Sequence, residues 1–356
     1  MKKYIWHTHK IVKETDDTVT IYFDTSGHRM NHLPGQYLNV RINFNGESLI
    51  RSYSLSSIPS DHYPAITVKK VEGGKVSSYI VDHAANIESW NIEGPFGNFI
   101  LDQKIADQQQ VVLLAGGSGI SPLFSMLKSI GVTKHNPLLI YSSKSPEQTI
   151  FQNSLASLEV DRSLDICYSF TDPEFVSTKM NHIPGRFSLL VLRSVIKRLV
   201  PAINDTQYYI CGPVALMDLY RDALTGLKIP QENIHMEYFN AISGNAVNFE
   251  TDGCTNEVIV THFEDTYVGD EIQTFECTSL ISVKSGQSIL EAMKKHDINV
   301  ASSCNNGTCG TCWAVKTMGT IHMLRHDALP EQDIAAGIVL LCQSYPQNGD
   351  VCVTLQ

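Results

Sequence analysis

The stretch Cys304-Asn305-Asn306-Gly307-Thr308-Cys309-Gly310-Thr311-Cys312, answered by Cys342 after 29 intervening residues, decides how the chain is read. The spacing C-x4-C-x2-C with a distant fourth cysteine is that of four thiolates around a [2Fe-2S] cluster. Three ligands must come from one tight loop, and the fourth must close the cage from a separate turn. Gly307 and Gly310 fall between the ligands, where a loop that turns its N–H groups towards sulfur needs backbone freedom. Two other readings exist. A structural zinc site wants two short cysteine pairs, and only one is present; four cysteines buried as small hydrophobes would not need the two glycines. The spacing therefore predicts Cys304, Cys309, Cys312 and Cys342 as iron ligands, with Cys352 as the rival for the fourth place.

The whole chain sets the bounds. Its 356 residues suggest two or three domains. A hydrophobic content of 43% with 18% charged residues describes an ordinary globular protein. The net charge of −10 argues against nucleic acid, whose phosphates need clustered Lys and Arg. From Glu257 onward, 12 acidic residues face 5 basic ones, a net of −7 that leaves −3 for the rest. Such an acidic module can steer towards a basic partner surface, or be a solvated face of no consequence. No export signal and no membrane-length apolar run of roughly 18 residues is visible. Nine cysteines, an odd number, then point to a reducing cytoplasm and to metal or redox use.

The first hundred residues read as antiparallel β structure with the short runs and turns of a small barrel. Val19–Phe23, Tyr37–Ile42 and Ile66–Lys70 have the β-branched and aromatic content of strands, and Gly94–Phe99 reads as a closing turn. On a strand, Arg51 and Tyr53 would share one face, a charged fork beside a ring, with Ser54 adjacent. The bland reading packs Tyr53 into the barrel wall. Gly74-Lys75-Val76-Ser77 runs from a glycine turn into a helix start, whose N–H groups suit an anion.

From about Gln110 the pattern changes to alternating strand and helix, which predicts a doubly wound parallel sheet. The apolar run Val111–Ala115 leads into Gly116-Gly117-Ser118-Gly119 and then a helix, the context that makes a glycine-rich motif credible as a diphosphate cradle. A later strand ends in Cys211-Gly212-Pro213, followed by Met217. Ligands of open α/β sheets bind at the carboxyl ends of strands, so Cys211 stands where a nicotinamide could lie; a cysteine there is otherwise core.

Arg51, Tyr53 and Ser54 match an R-x-Y-[ST] motif, and Gly74 and Ser77 a G-x-x-[ST] motif, so the chain resembles the ferredoxin-NADP reductase-like flavoproteins. The resemblance implies that Tyr53 packs on the isoalloxazine, that Ser54 hydrogen-bonds near its N5, and that Arg51 with Lys75, Val76 and Ser77 holds a pyrophosphate. Val68 and Lys69 would line the same site, and FAD is favoured over FMN. It also implies that Cys211 lies beside the reacting nicotinamide carbon, that Ser142, Ser143 and Lys144 meet the adenosine ribose, and that Phe239 sits near the flavin. Lys144 could meet a 2′-phosphate or be a solvated charge, which leaves NADH and NADPH both open. The last hundred residues resemble a plant-type ferredoxin with an α+β β-grasp fold, lengthened around Glu264–Glu271; Ser288–Glu291 is a capping box there.

The expected organisation is multidomain: residues 1–106 an antiparallel flavin barrel, 107–239 an α/β nucleotide domain, 240–256 a linker and 257–356 the [2Fe-2S] domain. Nicotinamide gives two electrons at once and the cluster accepts one, so a flavin must stand between them. The expected function is electron transfer from NAD(P)H through FAD and the cluster to a terminal oxygenase, by a cytoplasmic monomer without nucleic acid or membrane partners. Another redox protein as acceptor, such as a hybrid-cluster protein, a stand-alone diaphorase and a redox-sensing module are the alternatives.

Overall fold

The structure is a computed structural model and describes residues 3–28, 30–44, 47–130, 136–162, 164–172, 174–175, 181–239, 255–268, 271–302, 305, 307, 310–326, 328–329 and 331–355. The chain forms two compact units, Met1–Phe239 and Asn240–Gln356.

The first unit begins with strands β1 (Lys3–Thr15), β2 (Thr18–Asp24), β3 (Tyr37–Phe44), β4 (Glu47–Ser54) and β5 (Ala65–Lys69), helix α1 (Lys75–His83) and β6 (Trp90–Phe96). The strands pair antiparallel in the order β4-β3-β6-β1-β2-β5. An antiparallel bridge between Leu55 and Ile66 curls the two edges together. Alternation puts Val19, Ile21 and Phe23 of β2 and Leu38, Val40 and Ile42 of β3 inside, around Trp6 and Trp90. Residues Gly94–Phe96 correct the expected turn, because β6 runs through them. The pairing with β3 slips by one residue between Tyr37 and Asn39, so an extra residue of β6 bulges out. A bulge is where a strand tolerates proline, here Pro95.

Helix α2 (Gln103–Ala106) leads into β7 (Gln110–Gly116), α3 (Ile120–Ser129), β8 (Leu138–Ser143), α4 (Gln152–Arg162), β9 (Asp165–Phe170), β10 (His182–Pro184), α5 (Leu189–Leu199), β11 (Thr206–Cys211), α6 (Val214–Gly226) and β12 (Ile234–Glu237). These strands form one parallel sheet in the order β10-β9-β8-β7-β11-β12. Val111, Leu113 and Ala115 enter the core on one face and Val112 and Leu114 that on the other, which is why β7 reads as an unbroken apolar run. The chain leaves β7 in one direction and returns on its other side as β11. That reversal opens a crevice between the carboxyl ends of β7 and β11.

Helix α3 clasps the barrel. Ser125 Oγ donates to the Ser57 carbonyl at 2.7 Å, Lys128 pairs with Asp61, and the Phe151 N–H donates to Glu14 of β1 at 3.3 Å.

The second unit carries β13 (Asn256–Val268), β14 (Glu271–Val283), α7 (Ile289–Lys295), β15 (Trp313–Met323), α8 (Glu331–Ala335), β16 (Ile338–Leu340) and β17 (Ser344–Thr354). The sheet order is β14-β13-β17-β15-β16. The hairpin is long, its ladder reaching Val268 opposite Glu271. Asn256 opens β13 instead of closing the expected linker, whose residues 240–254 lie outside the described residues. Ile289, Leu290, Ala292 and Met293 of α7 are buried against the sheet. Its capping box is formed: Ser288 Oγ accepts the Glu291 N–H, and Glu291 Oε2 accepts the Ser288 N–H, both at 3.3 Å. Ser288→Ala should lower stability by about 1 kcal/mol, read as a lower urea midpoint of the full chain at unchanged slope.

Candidate functional site

The barrel presents a cradle along β4, β5 and the start of α1. Arg51 is exposed on β4, Tyr53 rests on the barrel core with part of its ring at the surface, and Ser54 is buried beside it. Burial pushes the Tyr53 phenol far above its ordinary range, so the ring stays neutral. Val68 and Val76 point into the barrel core. Lys69 Nζ is held at 2.7 Å from Asp17, and Ser77 Oγ accepts the Val71 N–H at 3.2 Å. A Cβ on Gly74 would meet Ser77 Oγ at 2.7 Å, so this turn needs glycine. Beyond it Lys75 is exposed at the first turn of α1, where helix N–H groups lack intrahelical partners.

The crevice of the parallel sheet is a contact of bare backbone. A Cβ on Gly119 would lie 2.2 Å from the Cys211 carbonyl oxygen, and one on Gly212 would lie 3.0 Å from Gly116 N and Cα. Only glycines let the two turns meet. Gly117 adopts a φ of +50°, and its carbonyl accepts from the Tyr141 hydroxyl at 3.1 Å, which fixes the loop; Ser118 beside it is half-buried. Ser121, on the first turn of α3, has a buried hydroxyl without a hydrogen-bond partner among the described residues. A bound ligand would satisfy such a group.

Cys211 ends β11 fully buried, opposite Ala115 on one side and Glu237 on the other. Burial first, and the Glu237 carboxylate second, hold its thiol well above the ordinary range. The sulfur is therefore neutral, and it lies within the core on one face of the sheet, beneath the turn where the two backbones meet. Gly212 and Pro213 follow it, Pro213 capping α6. Met217 is not brought to the crevice, because its side chain lies in the core beneath α6. Ser142 lies opposite Gly116, whereas Ser143 Oγ donates to the Ser145 and Gln148 carbonyls at 3.3 and 3.1 Å. Lys144 is exposed, and Phe239, 42% exposed, follows β12. Sequence reading assigned no role to Ser121 or Glu237; a hydroxyl just past the glycine run and an acid closing the last strand were the available signals.

In the second unit, Cys312 and Cys342 are both buried. The Leu341 N–H donates to the Cys312 carbonyl at 2.9 Å, which brings the turn of Cys342 against Cys312. Gln343 Nε2 donates to the Asn305 carbonyl at 3.1 Å, and the Ala328 N–H to that of Gly307 at 3.1 Å. Asn305, Gly307 and Gly310 have φ of +53°, +80° and +71°. A Cβ on Gly307 would meet the Arg325 carbonyl at 2.5 Å. Cys352 stands instead in β17, paired with Ile259 and Met318. Cys304 and Cys309 lie outside the described residues. Buried thiols on a loop bent by left-handed residues fit an iron–sulfur cluster.

The profile of the oxidoreductase FAD-binding domain family matches residues 7–100, that of the oxidoreductase NAD-binding domain residues 113–222, and that of the 2Fe-2S iron-sulfur cluster binding domain residues 276–347. The chain thus carries an oxidoreductase FAD-binding domain, an oxidoreductase NAD-binding domain and a C-terminal 2Fe-2S domain, in the order in which ferredoxin reductase-like flavoproteins carry them. This flavoprotein is 28% identical to the ferredoxin reductase component of 3-ketosteroid-9-alpha-monooxygenase from Mycobacterium tuberculosis, over 97% of this chain and 94% of the relative. It is 29% identical to a component of the 1,2-phenylacetyl-CoA epoxidase of Escherichia coli, over 97% and 95%. Its fold matches phthalate dioxygenase reductase at a TM-score of 0.57 with 24% identity, covering 99% and 98% of the two chains. An intact type IV self-sufficient cytochrome P450 monooxygenase matches at 0.70 with 21% identity, and the flavoprotein spans 41% of that longer chain. No helix among the described residues is long and apolar enough to cross a membrane.

Gly119→Ala should displace the turn from Cys211 and weaken NAD(P)H binding at least tenfold, measured by titrating the bleaching of the bound flavin. The Cys211 thiol should resist iodoacetamide at pH 9 in the folded protein, checked by peptide mass spectrometry. Because its folded pKa is raised, its contribution to stability is complete below the ordinary thiol value of about 8.5 and is lost as pH rises through the higher folded value.

Proposed function

We propose that this flavoprotein oxidises NAD(P)H against an FAD held by the barrel cradle and delivers the electrons singly, by way of a cluster on Cys304, Cys309, Cys312 and Cys342, to a terminal oxygenase. A bound flavin takes a hydride and gives electrons up one at a time, and a [2Fe-2S] cluster carries one. The observation that carries the reading is the meeting of Gly116, Gly119 and Gly212 beside a buried, neutral Cys211. Such a crevice lets a flat ring approach the backbone closely, and burial keeps the thiol beneath it uncharged. Arg51 and the first turn of α1 would hold phosphate, and Tyr53 and Ser54 would position the ring.

The two similar bacterial proteins are, by name, parts of a monooxygenase and an epoxidase, and this supports an oxygenase as acceptor. The net charge of −7 from Glu257 onward supports docking against a basic surface. The same reading carries the single-copy, cytoplasmic placement expected from the sequence.

Cys342→Ser should remove the red-brown cluster absorbance and the reduction of cytochrome c while sparing ferricyanide reduction, whereas Cys352→Ser should retain all three. The opposite pattern would make Cys352 the fourth ligand. Arg51→Ala should lower the flavin-to-protein absorbance ratio after gel filtration.

A further inference from the structure

A row of hydrogen-bonding side chains crosses the outer side of the barrel. Val19, Ile21, Ile66 and Val68 turn inwards, so Thr20 of β2 and Thr67 of β5 turn outwards. Both are nevertheless buried, as is Ser56. The part of the chain around the Gly117–Gly119 turn packs over β5. Thr20 Oγ1 lies 2.8 Å from Glu14 Oε1 and 2.9 Å from Thr67 Oγ1, and Thr67 Oγ1 lies 2.9 Å from Ser56 Oγ. Ser56 Oγ donates to the Ala65 carbonyl at a long 3.4 Å. At the far end Glu14 Oε2 accepts the Phe151 N–H.

Each hydroxyl carries one hydrogen, so this row has two complete arrangements. In the structure Thr67 donates to Ser56 and Ser56 to the Ala65 carbonyl; with Glu14 ionised and the row complete, Thr20 donates to Glu14, Thr67 turns to Thr20 and Ser56 turns to Thr67. With Glu14 protonated, every donation reverses and Ser56 donates to the Ala65 carbonyl. A proton entering at Ser56 converts the first arrangement into the second, and loss of the Glu14 proton followed by turning of the three hydroxyls restores the first.

Oxidation of one NAD(P)H to NAD(P)+ releases two electrons and one proton. If the electrons leave singly through the cluster, the proton must leave a buried site by another route. Ser54, placed at the flavin N5 by the resemblance, ends β4 two residues before Ser56, with Leu55 between them turned into the core, so the two lie roughly 7 Å apart, a gap that a chain of two waters would bridge. We propose that Ser56, Thr67, Thr20 and Glu14 form the relay that carries this proton from the flavin side of the barrel to the Glu14 carboxyl. The proposal rests on the reading of the barrel as a flavin site. Burial raises the Glu14 carboxyl above its ordinary range, against the hydrogen bonds from Thr20 and Phe151 that lower it. The titratable groups that feel its charge are the phenols of Tyr22 on β2 and Tyr141 on β8, both raised by burial.

The test uses the flavin-loaded, cluster-loaded protein. Pre-reduced anaerobic samples are mixed with a one-electron acceptor in the presence of a pH-indicator dye. Thr67→Val and Thr20→Val should slow proton release roughly tenfold or more and abolish its solvent deuterium effect, while Thr67→Ser restores both. Wild-type release in both valine variants, or failure of Thr67→Ser to rescue, overturns the relay. Infrared difference spectra recorded as the reduced protein is reoxidised supply an independent reading. A transient protonated-carboxyl band should appear in the wild type, vanish in Glu14→Gln and weaken in Thr20→Val, and a transient band that persists in Glu14→Gln overturns the proposal. If wild-type protein retained no flavin, or NAD(P)H failed to bleach it, the parent reading would fall and the relay with it; wild-type bleaching with unaltered variants sinks the relay alone.

Discussion

The backbone contact between the turn after β7 and the turn after β11 constrains everything around it. A Cβ at Gly119 would penetrate the Cys211 carbonyl, and one at Gly212 would crowd Gly116. This approach requires neighbouring parallel strands whose crossovers leave in opposite directions, which the order β10-β9-β8-β7-β11-β12 supplies. It also requires α3 to start at one fixed height, and Ser125 and Lys128 tie that helix to Ser57 and Asp61 of the barrel. The crevice and the cradle are thus held by the same helix.

Local signals made much of this legible. The unbroken apolar β7 followed by glycines identified the parallel sheet, because a strand buried on both faces has no polar alternation to show. The capping box at Ser288 and Glu291 marked the start of α7 because both halves of the motif are contiguous. What stayed hidden depends on distant pairing. Gly94-Pro95 looks like a turn from its own residues, and becomes a strand only because a bulge against β3 absorbs the proline. Met217 follows the Cys-Gly-Pro motif closely enough to seem part of it, yet the helical turn carries it under the sheet. Glu14 and Phe151 stand far apart in sequence and meet only after two subdomains pack.

The two units solve different electrostatic problems. In the first, burial keeps the Cys211 thiol and the Tyr141 phenol of the sheet and the Tyr53 phenol of the cradle neutral, and the Glu237 carboxylate beside Cys211 adds to the effect on the thiol. The second unit must instead gather thiolates in one place, which repel one another unless the metal and surrounding N–H groups offset their charge. Left-handed φ at Asn305, Gly307 and Gly310 is how its loop turns backbone towards that centre.

The anchoring of that loop also separates Cys342 from Cys352. The turn of Cys342 is attached to Cys312 through the Leu341 N–H, and Gln343 reaches back to Asn305 on the ligand loop. Both bonds come from residues flanking Cys342, so its sulfur is positioned by the same backbone that positions the loop. Cys352 is held by ladder pairing to Ile259 and Met318, and moving it to a cluster would break the parallel pairing of β17 with β13. Cys342 is fixed by the ligand loop, whereas Cys352 is fixed by the sheet, and this contrast supports the proposal of Cys342 as the fourth ligand.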